Sequence, residues 1–182
     1  MKSTLFTLAM VFALSGCKQL TEQTSDISIN NQYRISIPAS LNKMDDLNEE
    51  ASLQYGNGLQ EFYIIVIDET KQSWKEAVDQ YGAIIDSTLT NSFESYRNYL
   101  MGGFKENVVN SNFKNTTPIT INNMNGYLYE VEGKVSGSDI YFYYTFIEGK
   151  EHFYQLMSWT MKDRKDKYKE QMVAMTNSFA EI

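Results

Sequence analysis

The 182-residue chain contains one cysteine, Cys17, one histidine, His152, and two prolines, Pro38 and Pro118. Each scarcity closes off some chemistry. A lone thiol cannot form an internal disulfide, a bond common outside the cytosol, so the fold must rely on its own apolar core. One histidine excludes histidine-rich metal sites. A Ser-His-Asp arrangement stays formally open, but no Gly-x-Ser-x-Gly elbow is present, and His152 is expected to be an ordinary strand residue. Positive charge is the minority, with 16 Lys and Arg against 23 Asp and Glu and a formal net charge of −7. That balance argues against nucleic acid, whose affinity comes largely from cationic contacts with phosphate. It also argues against a basic membrane-surface patch. Long apolar runs are lacking too. The longest, Leu5 to Leu14 broken by Thr7, is about half of the ~20 residues a spanning helix needs.

What is there begins with that run. Lys2 precedes it and Leu14-Ser15-Gly16-Cys17 closes it, the layout of an export signal. The last four residues resemble the lipobox of bacterial lipoproteins: an aliphatic residue, two small residues, and a cysteine whose thiol accepts the acyl chain. Residues 1–16 are therefore expected to be a cleaved signal and Cys17 the lipidation site. Residues 17–28, polar and without periodicity, are expected to be a flexible tether, and 29–182 a single domain. Two or more acyl chains anchor stably where one does not. Lys18 stands where an inner-membrane retention signal would place Asp, which points to the outer membrane, on its periplasmic side.

In the remainder, apolar and polar residues alternate in Tyr33-Arg34-Ile35-Ser36-Ile37-Pro38, the pattern of a half-buried strand. Ala51 to Tyr55 is a second strand, Gly56-Asn57-Gly58 a turn. Glu61 to Ile67 is apolar on both alternating sets and should be a central strand covered on both faces. Ser73-Trp74-Lys75-Glu76 has capping-box spacing. Behind it Trp74, Val78, Tyr81, Ile85, Leu89, Phe93 and Tyr96 recur at helical steps, predicting one long helix that ends at Gly102-Gly103. Residues 104–117 should be mostly loop, with a short strand around Val108-Val109. Asn125-Gly126 is a strong hairpin cue joining Ile119-Thr120-Ile121 to Tyr127 through Val135. Four-residue turns at Ser136–Asp139 and Glu148–Glu151 then complete a four-stranded antiparallel meander. Tyr168, Met172, Met175, Phe179 and Ile182 form a closing helical stripe, and the alternating charges from Lys162 to Glu170 are its solvated side.

The strand Tyr33 to Pro38, the run Glu61 through Glu69 leading into a helix, Tyr141 through Trp159, and a final helix ending Thr176-Asn177-Ser178-Phe179 together resemble the PsbP-like fold. Within it they resemble most the DcrB-type bacterial lipoproteins. The resemblance covers roughly Ile27 to Ile182. It implies an α+β domain, an antiparallel sheet packed with two long helices as an α/β/α sandwich. It also implies a binding or assembly-accessory role without catalysis; an envelope protein is the expected partner, and no cofactor is expected. It transfers no functional residues.

The meander is where a site could lie. The turns above would set Val131 opposite Tyr144, and Tyr144 opposite Gln155. One face then collects Tyr129, Val131, Phe142, Tyr144, Phe146, Phe153, Met157 and Trp159. The other mixes Glu130, Glu132, Tyr141, Tyr143, His152 and Tyr154 with apolar residues. Either a helix covers this mixed face and its hydroxyls find partners at the edge, or the face is an open, concave ligand surface. Glu130 and Glu132 could also mimic a carboxylate pair, which leaves an envelope hydrolase or carbohydrate-active enzyme as the rival reading. The acidic group Asp45, Asp46, Glu49 and Glu50 does not match a calcium loop and is expected to be solvated.

Overall fold

The computed structural model describes residues 23–114 and 116–182. The expected signal, Cys17 and Lys18 lie outside the described residues. In chain order the elements are β1 (Thr24–Ile29), β2 (Tyr33–Pro38), β3 (Asn42–Lys43), β4 (Leu53–Asn57) and β5 (Phe62–Thr70), then α1 (Lys71–Ile85) and α2 (Phe93–Asn107). There follow β6 (Val109–Phe113), β7 (Thr117–Ile121), β8 (Met124–Val135), β9 (Ser138–Glu148) and β10 (His152–Met161). A single 3-10 turn at Lys162–Arg164, α3 (Lys165–Ser178) and β11 (Ala180–Glu181) close the chain.

The main sheet runs β3-β4-β5-β10-β9-β8-β6, with β7 also paired to β8, and every pairing is antiparallel. A small second sheet, β1-β2-β11, is hydrogen-bonded separately from it. As the doubly apolar run implied, β5 is interior to the sheet, and Ile64, Ile65 and Val66 are buried. One face of the sheet carries α1 and α2: Trp74, Phe93, Tyr96 and Met101 cluster with Tyr129, Val131, Phe142, Tyr144, Phe146 and Phe153. The opposite face carries α3 and β2: Tyr168, Met172, Met175 and Phe179 cluster with Tyr33, Ile35, Tyr141, Tyr143, Tyr154 and Leu156. The result is an α+β sandwich with a helical layer on each side.

Several local expectations are corrected. The single long helix is two helices, because the sequence between them is dense in caps. Asp86 accepts from the backbone N–H and the hydroxyl of Thr88, and Ser92 accepts from the Ser95 N–H. These side chains outcompete helical hydrogen bonds for the backbone. Trp74 ties the break down by donating from its indole to the Thr90 carbonyl at 3.0 Å. The N-cap of α1 lies three residues before the expected one: Thr70, not Ser73, caps the helix, accepting from the Ser73 N–H. α2 runs through Gly102-Gly103 to Asn107. Part of the expected tether is structured, since Thr24 to Ile29 pair with β2. The closing helix ends at Ser178, so Ile182 leaves the apolar stripe and is exposed.

The turns also moved. The hairpin into β8 turns at Asn122-Asn123, with φ of 47° and 67°, rather than at Asn125-Gly126. Asparagine tolerates this left-handed backbone. Gly126 lies inside β8, where a Cβ would sit 2.7 Å from the Phe146 carbonyl oxygen. Its glycine thus serves close backbone approach. The next turn is the two-residue Ser136-Gly137, also left-handed, pairing Val135 with Ser138. Val131 therefore faces Phe142, and Tyr144 faces Met157. Both registers differ from expectation by two residues. Because strand side chains alternate with period two, a slip of two preserves the faces, and the two expected face lists hold.

Candidate functional site

The residues of the mixed face come from three adjacent strands. Register sets Glu130 opposite Tyr143, Glu132 opposite Tyr141, and Tyr143 opposite Ser158. Tyr141 and Tyr154 have no exposed surface and Tyr143 is 7 % exposed, all three within the core roofed by α3. The open, concave alternative is therefore corrected: the face is covered. The cause is α3, whose apolar stripe needs a partner, and the aromatic rows of β9 and β10 supply it.

Glu130 and Glu132 sit at the margin of this roof, and lysines of α3 and the turn before it reach them. The Lys169 ammonium donates to both Glu130 oxygens at 2.9 and 2.8 Å, and the Tyr141 hydroxyl adds a third bond at 2.7 Å. Lys165 and Lys162 lie 2.7 and 3.1 Å from Glu132. Burial alone would raise the Glu130 pKa, but the hydrogen bonds from Lys169 and Tyr141 outweigh it and hold the carboxyl below its usual range. Hydrogen bonds from Lys165 and Lys162 bring Glu132 down to about 2. Burial pushes the Tyr143 phenol up to about 12, and raises Tyr141 further with help from Glu130. Both carboxylates are thus ionised and both phenols neutral at pH 7. Glycoside chemistry needs one carboxyl kept protonated as the acid, and this pair lacks it.

His152 is not part of this cluster. It pairs with Thr70 at one end of β10, six residues along the strand from Ser158. At ~3.3 Å per residue that is roughly 20 Å. Tyr154 instead belongs to a polar corner that holds the C-terminal strand. Its hydroxyl donates to Glu181 at 3.0 Å, and Gln32 links it to Asp68.

Two of the open clefts on the described surface flank the core. One, of about 500 Å³, lies at the end of the sheet among Asn122, Asn125, Glu148, Lys150 and Glu181. Lys71 pairs there with Glu148 at 3.1 Å, and the Lys150 backbone N–H donates to the Glu181 carboxylate. The other, of about 470 Å³, lies between α2 and β8, with Arg97 and Lys105 on one wall and Tyr127 and Tyr129 on the other. Arg97 stacks on the Tyr127 ring, 3.9 Å from its centroid.

No family model matches the chain, and no curated protein matches it. Solved structures do. The chain superposes on the cyanobacterial PsbP protein (CyanoP) of Synechocystis with a TM-score of 0.62 at 12 % identity, covering 93 % of this chain and 99 % of that one. The chain has the PsbP-like fold. LpqN of Mycobacterium tuberculosis, described as involved in cell envelope biogenesis, aligns at a TM-score of 0.54 and 7 % identity over 87 % of this chain and 90 % of its own. A Bacteroides thetaiotaomicron protein gives 0.55 and 8 %, covering 88 % of this chain and 48 % of that one. Within this PsbP-like domain, reasoning from sequence alone passed over Arg97. The signal was there: Phe93, Tyr96, Arg97 and Met101 share one buried helical face, so an arginine occupies a stripe position that should be apolar. Reading the region as one helix that ran on from Trp74 obscured that stripe.

Proposed function

We propose that this chain is a lipid-anchored protein of the bacterial cell envelope, acting as a non-enzymatic binding or assembly-accessory module. The observation that carries this reading is Leu14-Ser15-Gly16-Cys17, placed seven residues before the first strand begins at Thr24. Acylated there, the domain hangs within about 25 Å of the bilayer, at ~3.3–3.6 Å per extended residue. Lys18 favours the outer membrane, periplasmic side. Among the described residues no helix is long and apolar enough to cross a membrane, so attachment in this reading depends on the lipid. LpqN, which aligns along most of the domain, is described as involved in cell envelope biogenesis, which fits an envelope role. Against the hydrolase rival stand the lysine-paired carboxylates Glu130 and Glu132 and the distance of His152 from them.

Mass spectrometry of the N-terminus in the native host tests the anchor. An acylated Cys17 as first residue is expected, and Cys17→Ser should release a folded domain from the membrane fraction. An unmodified Cys17, or cleavage elsewhere, would overturn the anchor. Catalysis is tested separately by complementing a deletion strain with Glu130→Gln/Glu132→Gln. Full rescue is the expected result, and loss of rescue by a protein that still folds would favour the hydrolase.

A further inference from the structure

Arg97 is the one charged residue in the buried class among the described residues, at 8 % exposure. Its hydrogen bonding does not match that burial. One guanidinium nitrogen, Nη2, donates to Asn98 Oδ1 at 3.2 Å. The nearest carboxylate, Glu94, stands 3.8 Å away, beyond hydrogen-bond reach, and its side chain is 77 % exposed. The Nε–H is buried and has no acceptor among the described residues. A guanidinium carries five donors, and a buried cation is normally paired and saturated with hydrogen bonds. Stacking on Tyr127 offsets only part of the lost hydration. Elsewhere on the domain the buried or half-buried lysines find carboxylates: Lys165 finds Glu132, Lys169 finds Glu130, and Lys71 finds Glu148. Arg97, more deeply buried than any of them, has among the described residues only the long carboxylate contact to exposed Glu94, and it lines a cleft.

The rest of that cleft suits an anion. Lys105 supplies a second cation on the same wall, and the Tyr129 hydroxyl, which is hydrogen-bonded to Thr116, adds a neutral polar group. The half-buried Tyr127 ring offers flat apolar surface, and Gly102 keeps the helix side low: a Cβ added there would meet nothing within 4 Å. Guanidinium is the cation of choice for planar, two-point grip on an oxyanion, and more so where water is partly excluded. The geometry points to an oxyanion-binding site between α2 and β8, in which Arg97 holds a carboxylate or phosphate group whose organic body lies against Tyr127. The site stands on the cleft itself and does not depend on the lipid anchor. A chain of net charge −7 would repel such ligands in general, so a local cationic pocket gives selectivity for ligands that fit it.

The test is a titration of the full chain, with 15N-labelled arginine and glycine, at constant ionic strength held with sodium chloride. The three probes are sodium acetate, inorganic phosphate, and micelles of a short-chain phosphatidylglycerol. A saturable shift of the Arg97 Nε–H and Gly102 N–H resonances is expected, with Kd raised at least tenfold in Arg97→Lys. Gly102→Phe extends into open space on a helix and leaves the core untouched. It should melt like the wild type and lose the response, so it decides the matter if Arg97→Lys fails to fold. Saturation by the free ions assigns a soluble ligand, and saturation by the micelles alone assigns a lipid headgroup. No saturable shift with any probe, or unchanged affinity in folded Gly102→Phe, overturns the site.

Discussion

Replacing Phe179 by alanine asks whether the α3 layer is integral to the fold. Phe179 has no exposed surface and caps α3 at the point where the chain turns into β11. Its ring lies 5.1 Å from that of Tyr33 and 4.9 Å from that of Tyr154, so it joins the small sheet to the main one. Its carbonyl accepts from the Asn122 side chain at 2.7 Å, which fixes the backbone and limits collapse around a truncated side chain. A site that cannot collapse keeps its cavity, and burial plus cavity for Phe→Ala costs about 3–5 kcal/mol. For a domain of this size each kcal/mol shifts Tm by roughly 2–4 °C, so Tm should fall by roughly 6–20 °C. Thermal melts followed by near-UV circular dichroism read this directly, with urea melts giving the free energy. Phe179→Leu, which keeps most of the volume, should recover more than half of the loss. A loss below about 1 kcal/mol for Phe179→Ala would mean that α3 is peripheral and that the core drawn here is wrong.

Gln155→Leu should cost several kcal/mol in urea melts, because Gln155 bridges the buried hydroxyls of Tyr144 and Tyr96, and each orphaned group costs about 1–3 kcal/mol. Gly126→Val should destabilise by about 1–3 kcal/mol through its clash with the Phe146 carbonyl, and a wild-type melting curve would refute the close approach. Glu132 gives a pH signature. Its folded pKa of about 2 lies below the ordinary 4.5, so its contribution is full above 4.5 and is lost as pH falls toward 2. The stability gap between wild type and Glu132→Gln should therefore be largest near pH 6 and shrink steadily below pH 4.5, and a gap independent of pH would show that the Lys165 and Lys162 pairs contribute nothing.

The sequence by itself determined, for the strands of the meander, which residues are core and on which side of the sheet they lie. Alternation in β8, β9 and β10 sorted Val131, Phe142 and Phe146 from Tyr141, Tyr143 and Tyr154 correctly although both turns had been misplaced, because the errors were even-numbered slips. The α+β class and the PsbP-like order of elements were legible for the same reason: they follow from periodicity, which each segment carries within itself. Tertiary structure decided whatever depends on what a segment meets. Asn122-Asn123 took the turn from Asn125-Gly126 because Gly126 was needed under the Phe146 carbonyl, and no local propensity records a neighbour 20 residues away. The mixed face could have been open or covered, and only the placement of α3 across it, with Lys165 and Lys169 reaching Glu132 and Glu130, made it interior. Arg97 is the same lesson in a single side chain. Its helical position was written in the sequence, but its burial against Tyr127, short of acceptors, exists only once α2 lies on β8.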